Sequence, residues 1–272
     1  MIAMPILLAA GKAGLWECRE TWRALPCPLS CPTMIARDGP RFALLDEDHH
    51  ALWTGQSVMT VDSGMEAMLF WREYLLLLSG DTDCLTLVDQ RTGTPLLTTP
   101  AGVYPQDMCL LPGGRVVAVC GGAEGTLRLI RLPDLTLERL IRLPGNVQRI
   151  ACAADCLLTL CALEDDGLYC LMCRVPFQGH AYEPILTLPG LPGAVHVDSG
   201  GGWWVAASET LCRVYADGTF ASIRGDFGLI RSMDSRAGVL LTADPVLGLC
   251  CRVQGGAAHV LYEGDVRDAR LI

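Results

Sequence analysis

The densest group of potential metal ligands in this sequence is one five-residue segment, Asp46-Glu47-Asp48-His49-His50. Carboxylates and neutral imidazoles can bind a divalent ion, so the residue types permit a metal site. Neighbours on one short loop seldom converge on a single ion, because a closed site draws its ligands from several directions. We therefore expect solvated loop residues here and no metal ion.

Two other motifs resemble functional sites but lack parts that the chemistry needs. Cys170 and Cys173 have the spacing of half a zinc ribbon, but no second pair follows in a suitable context, and residues three apart on a strand face opposite sides. The segment 10–14 resembles a phosphate-binding loop, but Ile6 replaces its first glycine and Ala13 its Ser or Thr. There is also no Gly-x-Ser-x-Gly motif. The sequence predicts no catalytic residue and no cofactor.

An apolar run bounded by polar or glycine turns recurs seven times along the chain. Each unit has further apolar runs after it, and the units are about 40 residues long, which is the period of a four-stranded propeller blade. The dipeptide Asp217-Gly218 is one of several hairpin signals between the runs. The seven runs begin at Ile6, Arg41, Tyr74, Arg115, Cys156, Trp203 and Gly238.

The two ends of the chain complement each other within this repeat. The first unit begins with its second strand at Ile6, so its innermost strand is missing. The C-terminal segment 267–272 parallels the segment 147–151, which opens another unit. We therefore expect the last residues to pair with the segment 6–10 and close the ring, which removes exposed sheet edges.

This architecture resembles the YVTN-type and WD-repeat β-propeller families, in a divergent bacterial form. The resemblance rests on the repeat and covers residues 1–272, which we expect to form one domain. It implies an all-β fold: a seven-bladed β-propeller with four-stranded blades, closed by the C-terminal strand. Such a ring has no free edge to pair, so we expect a monomer.

Composition limits the compartment and the partners. The net charge of −9 makes nucleic acid a poor partner, because phosphate binding needs a basic surface. No uncharged stretch approaches the 18 apolar residues of a membrane helix, and the apolar N-terminus lacks a preceding positive region, so we expect neither a membrane partner nor a signal peptide. The 14 cysteines lie in apolar runs and are interpreted as buried thiols in the cytoplasm, with disulfides as the alternative.

An acidic rim is predicted where second and third strands are joined. Six of the seven units place a carboxylate in that loop, which could attract a basic partner. The alternative is ordinary turn chemistry, because Asp and Gly favour turns. The rim candidates are Asp46, Asp48, His49, Asp81, Asp83, Glu124 and Asp165.

The inner strands are expected to line a central channel that carries charged residues. Its arginines could hold an anionic small molecule by bidentate hydrogen bonds. The alternative is mutual neutralisation of acids and bases around a wet channel. The channel candidates are Glu66, Asp107, Arg149, His196, Arg231 and Asp268.

The function expected from these observations is that of a non-catalytic propeller, a protein-interaction platform or a small-ligand-binding scaffold whose partner the sequence does not name. The alternative, implied by the family resemblance, is a lactonase- or lyase-like enzyme with a divalent ion on the axis. Its ligands would be Glu66, Asp107, His196 and Asp268.

Overall fold

Seven four-stranded antiparallel sheets make up the protein in our computed structural model, which describes residues 4–179, 181–215 and 217–272. The first strands of neighbouring sheets contact each other in a closed circle. The chain is therefore a seven-bladed β-propeller, as its repeat predicts. One short 3-10 turn, Gly11–Ala13, accompanies the strands.

The blades are numbered along the chain, and each is given from its innermost to its outermost strand. Blade 1 comprises Asp268–Leu271 (β28), Ile6–Ala9 (β1), Leu15–Cys18 (β2) and Trp22–Leu25 (β3). Blade 2 comprises Met34–Asp38 (β4), Arg41–Asp46 (β5), Ala51–Trp53 (β6) and Val58–Thr60 (β7). Blade 3 comprises Met65–Trp71 (β8), Tyr74–Ser79 (β9), Cys84–Asp89 (β10) and Pro95–Pro100 (β11). Blade 4 comprises Pro105–Leu110 (β12), Val116–Gly121 (β13), Thr126–Arg131 (β14) and Thr136–Arg142 (β15).

The second half of the chain supplies the three remaining blades. Blade 5 comprises Asn146–Cys152 (β16), Cys156–Glu164 (β17), Leu168–Pro176 (β18) and Glu183–Pro189 (β19). Blade 6 comprises Pro192–Val197 (β20), Trp203–Ala207 (β21), Thr210–Val214 (β22) and Phe220–Ser222 (β23). Blade 7 comprises Ser232–Arg236 (β24), Val239–Asp244 (β25), Leu249–Gln254 (β26) and Ala257–Glu263 (β27).

The ring closes through the C-terminal strand, which confirms the predicted pairing. Strand β28 lies antiparallel to β1, with Ile6 opposite Leu271 and Ala9 opposite Asp268. The pairing extends to the last residue, because the Ile272 amide donates to the Pro5 carbonyl at 2.8 Å. Blade 1 is therefore built from both ends of the chain. The two ends can separate only if β28, the inner strand of blade 1, detaches from β1.

The continuous apolar runs arise because both faces of every blade are covered. In β9, Leu75 and Leu77 pack into the interface with blade 2, whereas Leu76 and Leu78 pack into the interface with blade 4. Successive residues of a strand face opposite sides, so a strand buried on both faces needs apolar residues throughout. One buried cluster of this kind fills each of the seven blade interfaces.

The seven predicted runs are the second strands of the seven blades. Five of them begin at the predicted residue, and β13 and β25 begin one residue later, at Val116 and Val239. All 14 cysteines are free thiols; nine of them are buried and five are half-buried. Within the described residues, no helix is long and apolar enough to cross a bilayer.

Candidate functional site

Extra residues near the start of the inner strands shape one end of the channel. In blades 3 to 6 of the described chain, the ladder between first and second strands shifts by one residue at Glu66, Gln106, Gln148 and Gly193. A bulge leaves the extra residue outside the ladder and re-aims the side chains beside it. The bulges lie at the face that also carries the loops between second and third strands, which we call the rim face.

Just below the rim face, the inner strands surround a cavity of about 620 Å³, the axial cavity. Its charged wall residues include Glu47, Glu66, Arg149, Arg231 and Arg267. The volume is in the range of small-molecule sites. A second cavity of about 470 Å³ lies toward the opposite face and shares a few wall residues with the first.

Asp107 was predicted as a ligand residue, but its carboxylate joins two blades. One oxygen accepts from its neighbour, the Met108 amide, at 2.9 Å, and the other accepts from the Ile150 amide of blade 5 at 3.0 Å. Burial raises the pKa of the Asp107 carboxyl, and the charge of Arg149 opposes the shift. Both oxygens already have backbone donors, so little capacity is left for a ligand.

Asp268 has the same role on the closing strand. Its carboxylate accepts from the Ile35 amide of blade 2 at 2.7 Å and from the Ala269 amide at 2.8 Å. It also accepts from the Ser232 hydroxyl and lies 3.0 Å from a guanidinium nitrogen of Arg270. Burial raises the pKa of Asp268 and the charge of Arg270 opposes the shift. This residue too is saturated by protein partners.

Arg149 lies on the cavity wall, but most of its donors are used by backbone carbonyls. Its Nε donates to the Gly193 carbonyl of blade 6 at 2.8 Å. One terminal nitrogen donates to the Gln148 carbonyl at 2.8 Å and, at 3.4 Å, to the Gln106 carbonyl of blade 4. All three carbonyls belong to bulge residues, so Arg149 ties the bulges of three blades together.

Glu66 and Arg231 are the predicted channel residues whose charged groups are uncommitted. Both line the axial cavity, and in the described part of the chain neither makes a side-chain hydrogen bond or an ion pair within 4.0 Å. Burial raises the pKa of Glu66, and nearby Glu47 adds to the shift, while Arg149 and Arg231 oppose it. Partial burial and the charge of Arg149 lower the pKa of the Arg231 guanidinium, which stays protonated at neutral pH. These two groups are open to a ligand.

The position of Glu66 depends on a glycine in the adjacent loop. A Cβ added to Gly80 would lie 3.2 Å from both Cγ and Oε1 of Glu66. That contact is tighter than ordinary van der Waals packing, so the bare glycine gives the carboxylate its place on the wall. Because burial disfavours the charged form, a donor or a cation brought to this carboxylate would stabilise it.

His196 lies apart from this group. Its Nε2 is 2.8 Å from the Ser235 hydroxyl of blade 7, and it lines neither of the two cavities. Burial lowers the pKa of His196 from 6.5. Consistent with this placement, no three His, Cys, Asp or Glu side chains in residues 4–179, 181–215 and 217–272 are arranged to hold a metal ion. Glu66, Asp107, His196 and Asp268 therefore do not form the axial metal site of the alternative prediction.

Several of the predicted rim residues hold the loops of the rim face together. Asp46 is buried and accepts from the Cys31 amide at 2.8 Å, and its other oxygen lies 2.8 Å from Nδ1 of His49. Asp83 accepts from the Tyr104 amide at 2.7 Å. Glu124 pairs with Arg128 at 2.9 Å. The remaining rim candidates, which are exposed, are Asp48, Asp81 and Asp165.

The floor and one wall of the axial cavity contain residues that sequence reasoning did not find. Tyr104 and Gln106 enter from blade 4, where the bulge moves Gln106 out of the strand ladder. No sequence pattern distinguishes a bulge from a regular strand position here. The lining of the cavity is also rich in methionine, whose flexible side chain adapts to irregular shapes. The cavity-lining methionines are Met34, Met65, Met68, Met108 and Met233.

Comparison with solved structures supports the fold. A protein from Bacteroides uniformis, assigned provisionally as a 6-phosphogluconolactonase, is similar with a TM-score of 0.76 at 11% identity over 100% of both chains. A Lactobacillus plantarum protein is similar with a TM-score of 0.76 at 13% identity over 99% of both chains. Hydrazine synthase of Kuenenia stuttgartiensis has a TM-score of 0.72 at 11% identity, covering 85% of this chain and 79% of the other.

Comparison of sequences adds no closer relationship. No family model matches the chain, and no curated protein matches it. The structural similarities are at identities that establish the propeller fold alone. Membership of the YVTN or WD-repeat families therefore stays a prediction from the repeat.

Proposed function

We propose that the protein binds a small molecule in the axial cavity and that Arg231 holds an anionic group of this ligand. The observation that supports the proposal is the contrast among the channel charges. Asp107, Asp268 and Arg149 are occupied by backbone groups of neighbouring blades, whereas Arg231 and Glu66 face the cavity without a hydrogen bond among the described residues. Charged groups that line a concave site, remain accessible and have no protein partner are available to a ligand.

An anionic group fits the basic side of the cavity. Arg231 is electrostatically coupled to Arg149, which raises the positive potential there. A guanidinium offers several donors in a planar fork that matches a carboxylate or a phosphate. Hydrogen bonds of this kind are about twice as strong as those between neutral groups. A ligand without an anionic group would gain none of this attraction and should bind more weakly.

Small-molecule binding is favoured over a protein-interaction platform because several carboxylates of the rim face already bond to donors of the loops on that face. Asp46, Asp83 and Glu124 bond to backbone or side-chain donors of the same face. Of the exposed rim carboxylates that remain, Asp165 lies on blade 5, apart from Asp48 and Asp81 on the adjacent blades 2 and 3, and all three lie in turns that favour aspartate. The axial cavity offers a defined volume and uncommitted donors instead.

Calorimetric titration with small carboxylates and phosphate esters tests the proposal. We expect at least one such compound to bind, and Arg231→Gln to weaken its binding at least about tenfold, the effect of one charge-assisted hydrogen bond. Arg142→Gln is the matched control, since Arg142 is an exposed arginine at the end of β15 outside the cavity. The absence of any binding, or equal effects of the two variants, would overturn the proposal.

Lactone hydrolysis is a second candidate function. The similar Bacteroides protein is assigned provisionally to that activity, and the present cavity contains Glu66, a carboxyl with raised pKa, near Arg231. A carboxyl of that kind can act as a general base on water. Acid release from a phosphorylated sugar lactone should then exceed the spontaneous rate in the native protein and fall to that rate in Glu66→Gln. Equal rates with and without protein would exclude this candidate.

A further inference from the structure

The charges around the axial cavity are segregated by blade. Basic residues come from one arc of the ring: Arg149 on blade 5, Arg231 immediately before β24 of blade 7, and Arg267 immediately before β28 of blade 1. The acidic residues without a protein partner come from the neighbouring arc: Glu47 immediately after β5 of blade 2 and Glu66 on β8 of blade 3. Asp107 of blade 4 and Asp268 of blade 1 also line the cavity, but both are occupied by protein donors. Within the basic arc, blade 6 contributes only Ala194 and Val195 to the wall. The cavity is therefore dipolar, with a positive side and a negative side.

The two sides do not neutralise each other by direct contact. No nitrogen of these arginines lies within 4.0 Å of a Glu47 or Glu66 oxygen in the part of the chain that the structure describes. Arg267 instead pairs with Asp265 at 2.7 Å. Attraction across the cavity is thus incomplete, and the space between opposite charges is left for a guest.

Like charges adjoin on each side, which leaves both sides electrostatically strained. Glu47 and Glu66 interact with each other, and burial with the neighbouring acids raises the pKa of both. On the other side, Arg149 contributes to the lowered pKa of Arg231. A positive group near the carboxylates and a negative group near the guanidinium would each relieve a repulsion.

We propose that the ligand is amphoteric: a small molecule whose anionic group contacts Arg231 and whose ammonium group contacts Glu66 and Glu47. This inference rests on the proposed function and narrows it to a class of ligand. The separation of the charges favours a molecule whose two groups lie several bonds apart. The middle of the molecule is uncharged, because the lining of the cavity also includes apolar side chains such as Met65 and Met68.

Two amphoteric probes with matched single-charge analogues test the inference. The first is the dipeptide alanyl-leucine, compared with its N-acetyl derivative and its C-terminal amide. The second is 5-aminopentanoate, compared with pentanoate and pentylamine. Calorimetric titration should show at least one probe binding about tenfold more tightly than both of its analogues, because each analogue leaves one charged side unpaired.

Charge variants separate the contributions of the two sides. Glu66→Gln should abolish the advantage of the amphoteric probe over its anionic analogue. The analogue should bind the variant at least as tightly as the native protein, because the variant lacks a negative charge that acts on the same cavity. Arg231→Gln should weaken both the probe and the anionic analogue. Asp165→Asn is the matched control, since it removes an exposed carboxylate of the same face outside the cavity.

The outcomes of these titrations distinguish a failure of the amphoteric assignment from a failure of the proposed small-molecule function. If anionic compounds bind through Arg231 but neither probe surpasses its anionic analogue, the amphoteric assignment is wrong and the small-molecule function stands. If Glu66→Gln leaves the preference for the probe intact, the assignment is also wrong. If no probe, no analogue and no other anionic compound binds, both proposals are overturned.

Discussion

Asp268, on the strand that closes the ring, accepts a hydrogen bond at 2.7 Å from the amide of Ile35, on the inner strand of the next blade. The same relationship joins Asp107 of blade 4 to the Ile150 amide of blade 5 at 3.0 Å. A third aspartate, Asp234 of blade 7, accepts from the Leu271 amide of blade 1 at 2.8 Å. Aspartates of inner strands thus link successive blades at three places in the ring.

Loss of the Asp268 carboxylate should therefore weaken ring closure. An asparagine keeps one acceptor oxygen, so Asp268→Asn leaves at least one of the amides of Ile35 and Ala269 or the Ser232 hydroxyl without its acceptor and leaves Arg270 without its counter-charge. We expect a loss of about 3 kcal/mol in the free energy of unfolding, measured by urea denaturation. Asp165→Asn, on an exposed loop, should stay within about 0.5 kcal/mol of the native protein. Equal stability of the two variants would show that closure does not depend on this carboxylate.

Two arginines of the axial cavity should differ in their effect on stability. Arg149 donates to carbonyls of three blades, so Arg149→Gln should lower the free energy of unfolding by about 2 kcal/mol. The Arg231 side chain bonds to no described residue, and Arg231→Gln should change stability by less than about 0.5 kcal/mol. Parallel denaturation curves measure both. A large loss in Arg231→Gln would mean that its guanidinium serves the fold and not a ligand.

The pKa of His196 should contribute to the pH dependence of stability. Burial lowers its pKa from 6.5 in the folded state; the charge of Arg270 also lowers it, whereas those of Asp234 and Asp198 oppose the shift. Below about 6.5 the unfolded chain takes up a proton that the folded state resists, so this residue reduces stability as the pH falls through that value. His196→Gln should flatten that part of the stability profile, measured by urea denaturation between pH 7 and pH 5 (about the range of histidine titration). An unchanged slope in the variant would contradict this assignment.

Chemical titration of thiols tests the packing of the blades. All 14 cysteines are free, and seven of the nine buried ones lie inside blade interfaces, such as Cys120 and Cys161 between blades 4 and 5. We expect 14 thiols to react with a thiol reagent in denaturant and only a minority in the folded protein. Fewer reactive thiols in denaturant, restored by a reducing agent, would reveal disulfides that contradict the structure.

The fold could be predicted from the sequence because every blade packs on both faces. That packing demands uninterrupted apolar runs such as Leu75 to Leu78, and the runs repeat with the period of a blade. The first unit lacks an inner strand before Ile6, and the unpaired edge that this leaves must be filled if the ring is to close. The sequence therefore predicted that the C-terminal strand, β28, pairs with β1. Boundaries differed by one residue at Val116 and Val239, where the preceding Arg115 and Gly238 belong to turns.

The candidate site could be predicted only in part. The sequence placed Glu66, Asp107, Arg149 and Asp268 on inner strands, but it could not tell which charges face the cavity and which bond to a neighbouring blade. Whether a charged side chain faces the cavity or bonds to the next blade depends on how far adjacent inner strands are shifted along the axis and on the one-residue bulges. His196 was placed on the correct strand but near Ser235, away from the cavity.

Bulges explain the cavity residues that were missed. The bulge in β12 takes Gln106 out of the ladder that pairs Pro105 with Gly121 and Asp107 with Cys120. The alternation of a regular strand would assign Gln106 to a blade interface. Only the three-dimensional register shows that Gln106 and Tyr104 line the axial cavity.

The location of a bound ligand tests the central claim most directly. A crystal of the protein with the tightest-binding compound should show density in the axial cavity, with the anionic group about 2.7–3.2 Å from the Arg231 guanidinium. The same compound should leave no density in the cavity of Arg231→Gln crystals. Density of the ligand at the opposite face or on the outer strands, with an empty axial cavity, would contradict the account.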